Sequence, residues 1–150
     1  SVIVLANGAA KNSLINSGKS FKAFQQALNL VCLKLAKMVV QDGEGASKFI
    51  QIKVNQAKSF QEAKKIALVI ANSNLFKTAM YGQNPNFGRI VASVGASGVN
   101  VNEEVLKIKV SSLKKKDIFV QVSVNRGKHS ATIYTSDLTP EYIKINAEYN

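Results

Sequence analysis

The sequence predicts an α+β fold. Apolar residues recur at spacings of three and four through residues 20–40 and again through 59–71, the period of amphipathic helices. Three runs with strand character then crowd into residues 105–134. Helices set apart from later strands point to layers of unlike elements rather than to a βαβ repeat. A chain of 150 residues, 46% hydrophobic, fits one domain, 1–150, with a sizeable core. It shows no internal repeat, low-complexity segment or linker.

Each element has its own signal. Val2–Leu5 is a short apolar run ending at the turn pair Asn7-Gly8, and it reads as a buried strand. Ser20–Val40 is the clearest helix. Phe21, Phe24, Leu28, Val31, Leu35 and Met38 mark its apolar side, Ser20 is its expected N-cap, and its breadth predicts burial around much of its circumference. Gly43 and Gly45 stop it. Lys48–Gln56 reads as a strand. Ser59 opens a second helix with Glu62 three residues on, the capping-box spacing. Leu75–Met80 adds a further helical stretch ending at Gly82. Arg89–Gly95 reads as a short strand or a helix start. Strands follow at Val105–Val110, Ile118–Val124 and Ala131–Tyr134, with Gly127 turning the last pair.

Composition narrows function. No unbroken apolar run approaches the roughly 18 residues of a membrane span, and the N-terminus lacks a signal peptide's basic region. These features and the single thiol, Cys32, which reads as a small core hydrophobe, predict a cytoplasmic protein. The first residue is not Met, so we expect the chain to begin inside a longer product. The formal net charge is +11, from 20 basic and 9 acidic residues. Lysines are dispersed, Lys114-Lys115-Lys116 is the one run and reads as a solvated turn, and Arg89 and Arg126 are the only arginines. Base readout and bidentate phosphate binding favour arginine, so the charge reads as a solvated surface ahead of a nucleic-acid footprint. A non-catalytic basic module for RNA or an acidic protein is the alternative.

No catalytic set of familiar type is complete. His129 is the only histidine, and pairing it with Cys32 would require exposing a core thiol. No metal-ligand cluster and no phosphate-cradling glycine loop is present; Gly95-Ala96-Ser97-Gly98 reads as a turn. The strongest local feature is Asp42-Gly43-Glu44-Gly45-Ala46, two acids alternating with two glycines at a helix-to-strand joint. Glycine permits positive φ and close approach of a ligand, and an acid at a helix C-terminus opposes the macrodipole. A solvated helix stop and a site for a cationic group are both open on these residues alone. Arg89 reads as a loop anchor, with a carboxylate ligand as its alternative. Asn146 carries an amide that both donates and accepts.

Three segments in this order, Asp42-Gly43-Glu44-Gly45-Ala46, Asn84-Pro85-Asn86-Phe87-Gly88-Arg89-Ile90 and Asp137-Leu138-Thr139-Pro140-Glu141-Tyr142-Ile143-Lys144-Ile145-Asn146-Ala147-Glu148-Tyr149, give the chain a resemblance to a known family. Together with Leu5-Ala6-Asn7-Gly8 and Lys77-Thr78-Ala79, they resemble the β chain of the ornithine acetyltransferase family, the bifunctional glutamate N-acetyltransferases. The likeness covers nearly the whole chain. It implies a layered α/β sandwich of the self-cleaving type, completed by an α chain, in an (αβ)2 heterotetramer. It implies ping-pong transfer of acetyl from N-acetylornithine to glutamate through an acetyl-threonine, with acetyl-CoA a further donor in some members and no cofactor. A related aminopeptidase class shares the architecture; the DGEGASK segment favours the acetyltransferase.

By that resemblance Glu44 is a substrate-binding glutamate and Asn146 a substrate-binding asparagine. A carboxylate suits the substrate's ammonium and an amide its carboxylate. No catalytic residue falls in this chain. The nucleophilic Thr is expected upstream of Ser1, the oxyanion hole and a binding Lys in the α chain, and a last binding Ser or Thr beyond Asn150. Asn84 and Phe87 stand where the family more often has Asp and Trp, an expected change in loop packing. Alone the chain is expected to be inactive.

Overall fold

The structure, a computed structural model, describes residues 2–148. The chain divides into two units, Ser1–Ala36 and Lys37–Asn150. Helix α1 (Gly18–Gln41) begins in the first and ends in the second.

In the first unit, Asn7-Gly8 makes the expected turn. The Asn7 Oδ1 accepts from the Ala9 amide at 3.0 Å, and Gly8 takes φ +71°. Val2–Leu5, however, is exposed and is not a strand; Leu5 is 92% exposed. An apolar run becomes a strand only when another edge completes its hydrogen bonds, and no described strand does so. The expected burial of α1 also fails. None of its residues is buried, and Phe24, Leu30, Val31, Leu35 and Val39 are exposed. Cys32 is half-buried rather than a core thiol. By length and composition α1 is also long and apolar enough to cross a membrane, contrary to the expectation from unbroken runs. Its stretch without charge, Ala23–Leu33, is only about half a span. Periodicity records that a face wants cover; it does not say what supplies it.

The second unit holds a four-stranded sheet in the order β2-β3-β1-β4. Its strands are β1 (Phe49–Ala57), β2 (Lys107–Val110), β3 (Asp117–Ser123) and β4 (His129–Ser136). β1 pairs parallel with β3 and antiparallel with β4, and β2 is antiparallel to β3. Alternation puts Ile50, Ile52 and Val54 of β1 with Ile118, Val120 and Val122 of β3 on one buried face. Helices α2 (Phe60–Asn72), α3 (Asn74–Tyr81) and α4 (Phe87–Ala96) complete this core through Ile66, Ile70, Phe76, Met80 and Ile90. Gln51, Lys53 and Asn55 of β1 with Phe119, Gln121 and Ser123 of β3 face the other way, half-buried or exposed. On that side Phe49 stacks on Tyr134 at 5.7 Å, and Lys37 Nζ lies 4.8 Å from the Tyr134 ring centre.

One open reading is settled here and one expectation is corrected. Residues 87–96 form helix α4, settling the strand-or-helix reading of Arg89–Gly95. Gly127 does not turn a β3–β4 hairpin, because β1 lies between those strands. Instead the chain crosses the end of β1. The Gly127 amide donates to Gln56 O at 2.8 Å, and a Cβ on Gly127 would stand 2.6 Å from Ala57 O. The short β3–β4 spacing signals a turn equally well in both arrangements. The lysine run 114–116 is the exposed β2–β3 turn that its sequence implied.

Capping departs from the sequence in two places: α1 begins at Gly18, so Ser20 lies inside the helix and is not its N-cap, and the Ser59 capping box closes differently. Ser59 Oγ accepts from the Glu62 amide at 3.1 Å, but Glu62 Oε1 accepts in return from the Lys58 amide, at 3.3 Å, rather than from that of Ser59. Glu62 also pairs with Arg126 at 2.9 Å. The last helix, α5 (Pro140–Ala147), starts from Thr139 as N-cap with Pro140 in its first turn, the positions where both residues are favoured.

Candidate functional site

The joint between α1 and β1 is built on one turn. The Ala46 amide donates to Gly43 O at 3.0 Å, which closes a four-residue turn with Glu44 and Gly45 at its centre. Gly45 has φ +63°, as the third position of a type II turn requires. Glu44 therefore stands at the exposed corner. Gly43 keeps negative φ, so only one of the two glycines is there for left-handed backbone.

The close approach at Gly45 is made by the chain itself. A Cβ there would lie 2.5 Å from the Tyr142 amide nitrogen and 2.9 Å from the Glu141 carbonyl carbon. The turn thus sits directly on the first turn of α5. Thr139 fixes the contact. Its Oγ1 donates to Gly45 O at 2.6 Å and accepts from the Tyr142 amide at 3.0 Å. Asp137, between β4 and α5, fixes the exit of the loop. Its Oδ1 accepts from the Ser47 and Lys48 amides, both at 2.9 Å, and its Oδ2 accepts from the Ser47 hydroxyl. Asp137 and Thr139 are each only 3% exposed.

Asn146 lies on α5 one helical turn beyond Tyr142, whose carbonyl accepts from its Nδ2 at 2.9 Å. An amide NH2 has two donors, so one remains for an exposed carboxylate. Tyr149 lies outside the described residues. The two segments that meet here carry four acids, Asp42, Glu44, Asp137 and Glu141, against two lysines, Lys48 and Lys144. In a chain of net charge +11 this is a locally acidic place, suited to an ammonium group.

Sequence reasoning singled out the glycine-rich turn and the terminal segment separately. The fold brings them together. Sequence reasoning took in Asp137 and Thr139 only as the start of the segment 137–149 and gave neither a role, although an acid just after a strand, followed by Thr-Pro, is the available signal of a braced helix start. Arg89 is a structural anchor: its Nη1 donates to Leu75 O at 2.7 Å and to Thr78 Oγ1 at 3.2 Å, tying α4 to α3. His129 is exposed. A groove of about 490 Å³ is lined by Leu68, Val69, Asn72, Ser73, Ala92 and Ser93 of the α2–α4 region and contains no titratable group. Volume alone does not make it the chemical site.

The ArgJ family model matches residues 1–114 and 109–150. The Geobacter sulfurreducens arginine biosynthesis bifunctional protein ArgJ is 40% identical over 98% of this chain and 43% of its own length. The Methanocaldococcus jannaschii glutamate N-acetyltransferase is 38% identical over 99% of this chain and 43% of its own. The crystal structure of arginine biosynthesis bifunctional protein ArgJ from Bacillus halodurans superposes with a TM-score of 0.90 at 36% identity. That match covers 98% of this chain and 79% of the other. The chain spans under half the length of these two curated relatives.

Proposed function

Because the chain belongs to the ArgJ family, we propose that it forms part of an acyltransferase of arginine biosynthesis, moving acetyl from N-acetylornithine to glutamate. In this reading a threonine hydroxyl outside the chain attacks the acetyl carbonyl. The amide C–N bond breaks, the ornithine amine takes up a proton and leaves, and the acetyl-threonine is then attacked by the amine of glutamate. Acetyl-CoA is a second acetyl donor in this scheme. No cofactor is required. An α chain of the same precursor supplies the nucleophile's surroundings in a cytoplasmic (αβ)2 assembly, and the uncovered apolar side of α1 supports such a partner.

This chain contributes Glu44, which takes the substrate's ammonium group, and Asn146, which takes its carboxylate. The observation that carries this assignment is the seating of the Gly43–Ala46 turn on α5, which holds an exposed carboxylate close to the helix bearing Asn146. The test is Glu44→Gln in the complete enzyme. We expect kcat/KM for N-acetylornithine to fall at least about tenfold, equivalent to roughly 1.4 kcal/mol of transition-state stabilisation. Unchanged kinetics in a folded variant would remove Glu44 from the site.

A further inference from the structure

We propose that Asp137 is the positioning residue of this site, setting where Glu44 stands. The proposal rests on the reading of Glu44 as the ammonium ligand. Asp137 is a buried carboxylate, and among the described residues no lysine or arginine pairs with it. Its charge is instead met by two consecutive backbone amides and a hydroxyl. Burying a carboxylate is costly unless its oxygens are satisfied, so this geometry has little slack.

The effect on Glu44 follows from how the turn is held. Its two ends are tied by the Ala46-to-Gly43 hydrogen bond. Its second corner is tied to α5 by Thr139 through Gly45 O. Its exit is tied by Asp137 through Ser47 and Lys48. Lys48 is held separately, its Nζ donating to Leu113 O and Lys115 O, both at 3.0 Å, so releasing the Asp137 tie frees the backbone between Gly45 and Lys48 while β1 keeps its own pairing with β3 and β4. The turn then shifts relative to α5 without loss of the sheet. A displacement of about 1 Å at a binding group can cost on the order of a hundredfold in rate.

Asp137→Asn keeps the size and one acceptor oxygen for the two amides, and its NH2 can donate to the Ser47 hydroxyl. Asp137→Ala removes all three bonds. In the complete enzyme we expect Asp137→Ala to raise KM for N-acetylornithine about tenfold with a smaller change in kcat, and Asp137→Asn to recover most of that loss. The double variant Asp137→Ala/Glu44→Gln distinguishes positioning from general stability. If Asp137 acts through Glu44, the double variant loses about tenfold in kcat/KM, as Glu44→Gln does alone; independent effects would multiply to about a hundredfold. Multiplied effects, or an Asp137→Ala enzyme with normal KM beside an impaired Glu44→Gln enzyme, overturn the positioning role and leave the Glu44 reading intact. A silent Glu44→Gln overturns both. Should Asp137→Ala fail to fold, Ser47→Ala, which removes only the hydroxyl bond, replaces it in the same cycle, and the same two outcomes decide.

Discussion

Gly45 and the Tyr142 amide nitrogen are so close that a methyl group on Gly45 would stand 2.5 Å from that nitrogen. Two independent requirements meet at Gly45: positive φ, and no side chain where α5 begins. The first alone costs an L-residue about 1–3 kcal/mol when imposed. The second cannot be relieved by a side-chain rotation, because the opposing atoms are backbone. We expect Gly45→Ala to lower the melting temperature of the complete enzyme and to reduce kcat/KM at least about tenfold, since the turn carrying Glu44 must move. Thermal melting and steady-state kinetics on one preparation check both; a variant matching the parent in each would show that the turn does not rest on α5.

The extent to which this was legible varies by residue. The helix at 60–72, its Ser59 cap and the parts of β1, β3 and β4 followed from period and turn chemistry, which act locally. The α+β class followed from their order. The partner of each strand did not, because β1 pairs with β3 and β4 across long stretches of chain, and a short spacing such as that at Gly127 resembles a hairpin whether or not a third strand intervenes. Glu44 stood out because two acids alternating with two glycines are unusual at a helix-to-strand joint. Asp137 opened a segment that stood out, but its role was not legible, since a buried Asp is recognised by its donors, and those come from Ser47 and Lys48, about ninety residues earlier.

Gly127 and Gly95 make a paired test of the crossing over β1. A Cβ at Gly127 would lie 2.6 Å from Ala57 O and 3.1 Å from Lys58 Cα, all main chain. A Cβ at Gly95, within α4, meets nothing within 4 Å. Gly127→Ala should destabilise by about 1–3 kcal/mol, the usual cost of forced overpacking. Gly95→Ala should stabilise by roughly 0.5–1 kcal/mol, since alanine is the better helix former. Denaturant midpoints for the two variants should therefore move in opposite directions; movement in the same direction would contradict the crossing geometry.

The sheet face turned away from α2 carries Lys53 of β1 and Lys107 and Lys109 of β2, opposite Gln121 and Ser123 of β3, with Phe119 further along that strand. It is the nearest approach in the chain to a nucleic-acid platform. Stacking needs successive aromatic rings along a groove, and here Phe49 and Tyr134 stack on each other. We expect only non-specific binding by the complete enzyme, with Kd in the range of roughly 10⁻⁴–10⁻⁶ M near physiological salt. Titration with duplex DNA and single-stranded RNA checks this. Sequence-selective nanomolar binding would instead revive the basic-module reading.

The Glu62–Arg126 pair makes a prediction about acid stability. Desolvation pushes the Glu62 carboxyl up, but the hydrogen bond and charge of Arg126 and the Lys58 amide outweigh it, and the net shift is below the ordinary value of 4.5. Arg126 also reaches Asn100 O, so the pair ties the start of α2 to the segment after α4. A carboxylate whose folded-state pKa is depressed stabilises the fold above its unfolded value. That contribution disappears as pH falls from 4.5 through the lower folded value. Glu62→Gln should therefore be less stable than the parent at pH 7, with the gap in melting temperature closing as pH falls through and below 4.5. Melting curves for both proteins from pH 7 to pH 3 test this; a gap that stays constant across the range would mean that the charge on Glu62 contributes nothing and that only its hydrogen-bonding shape matters.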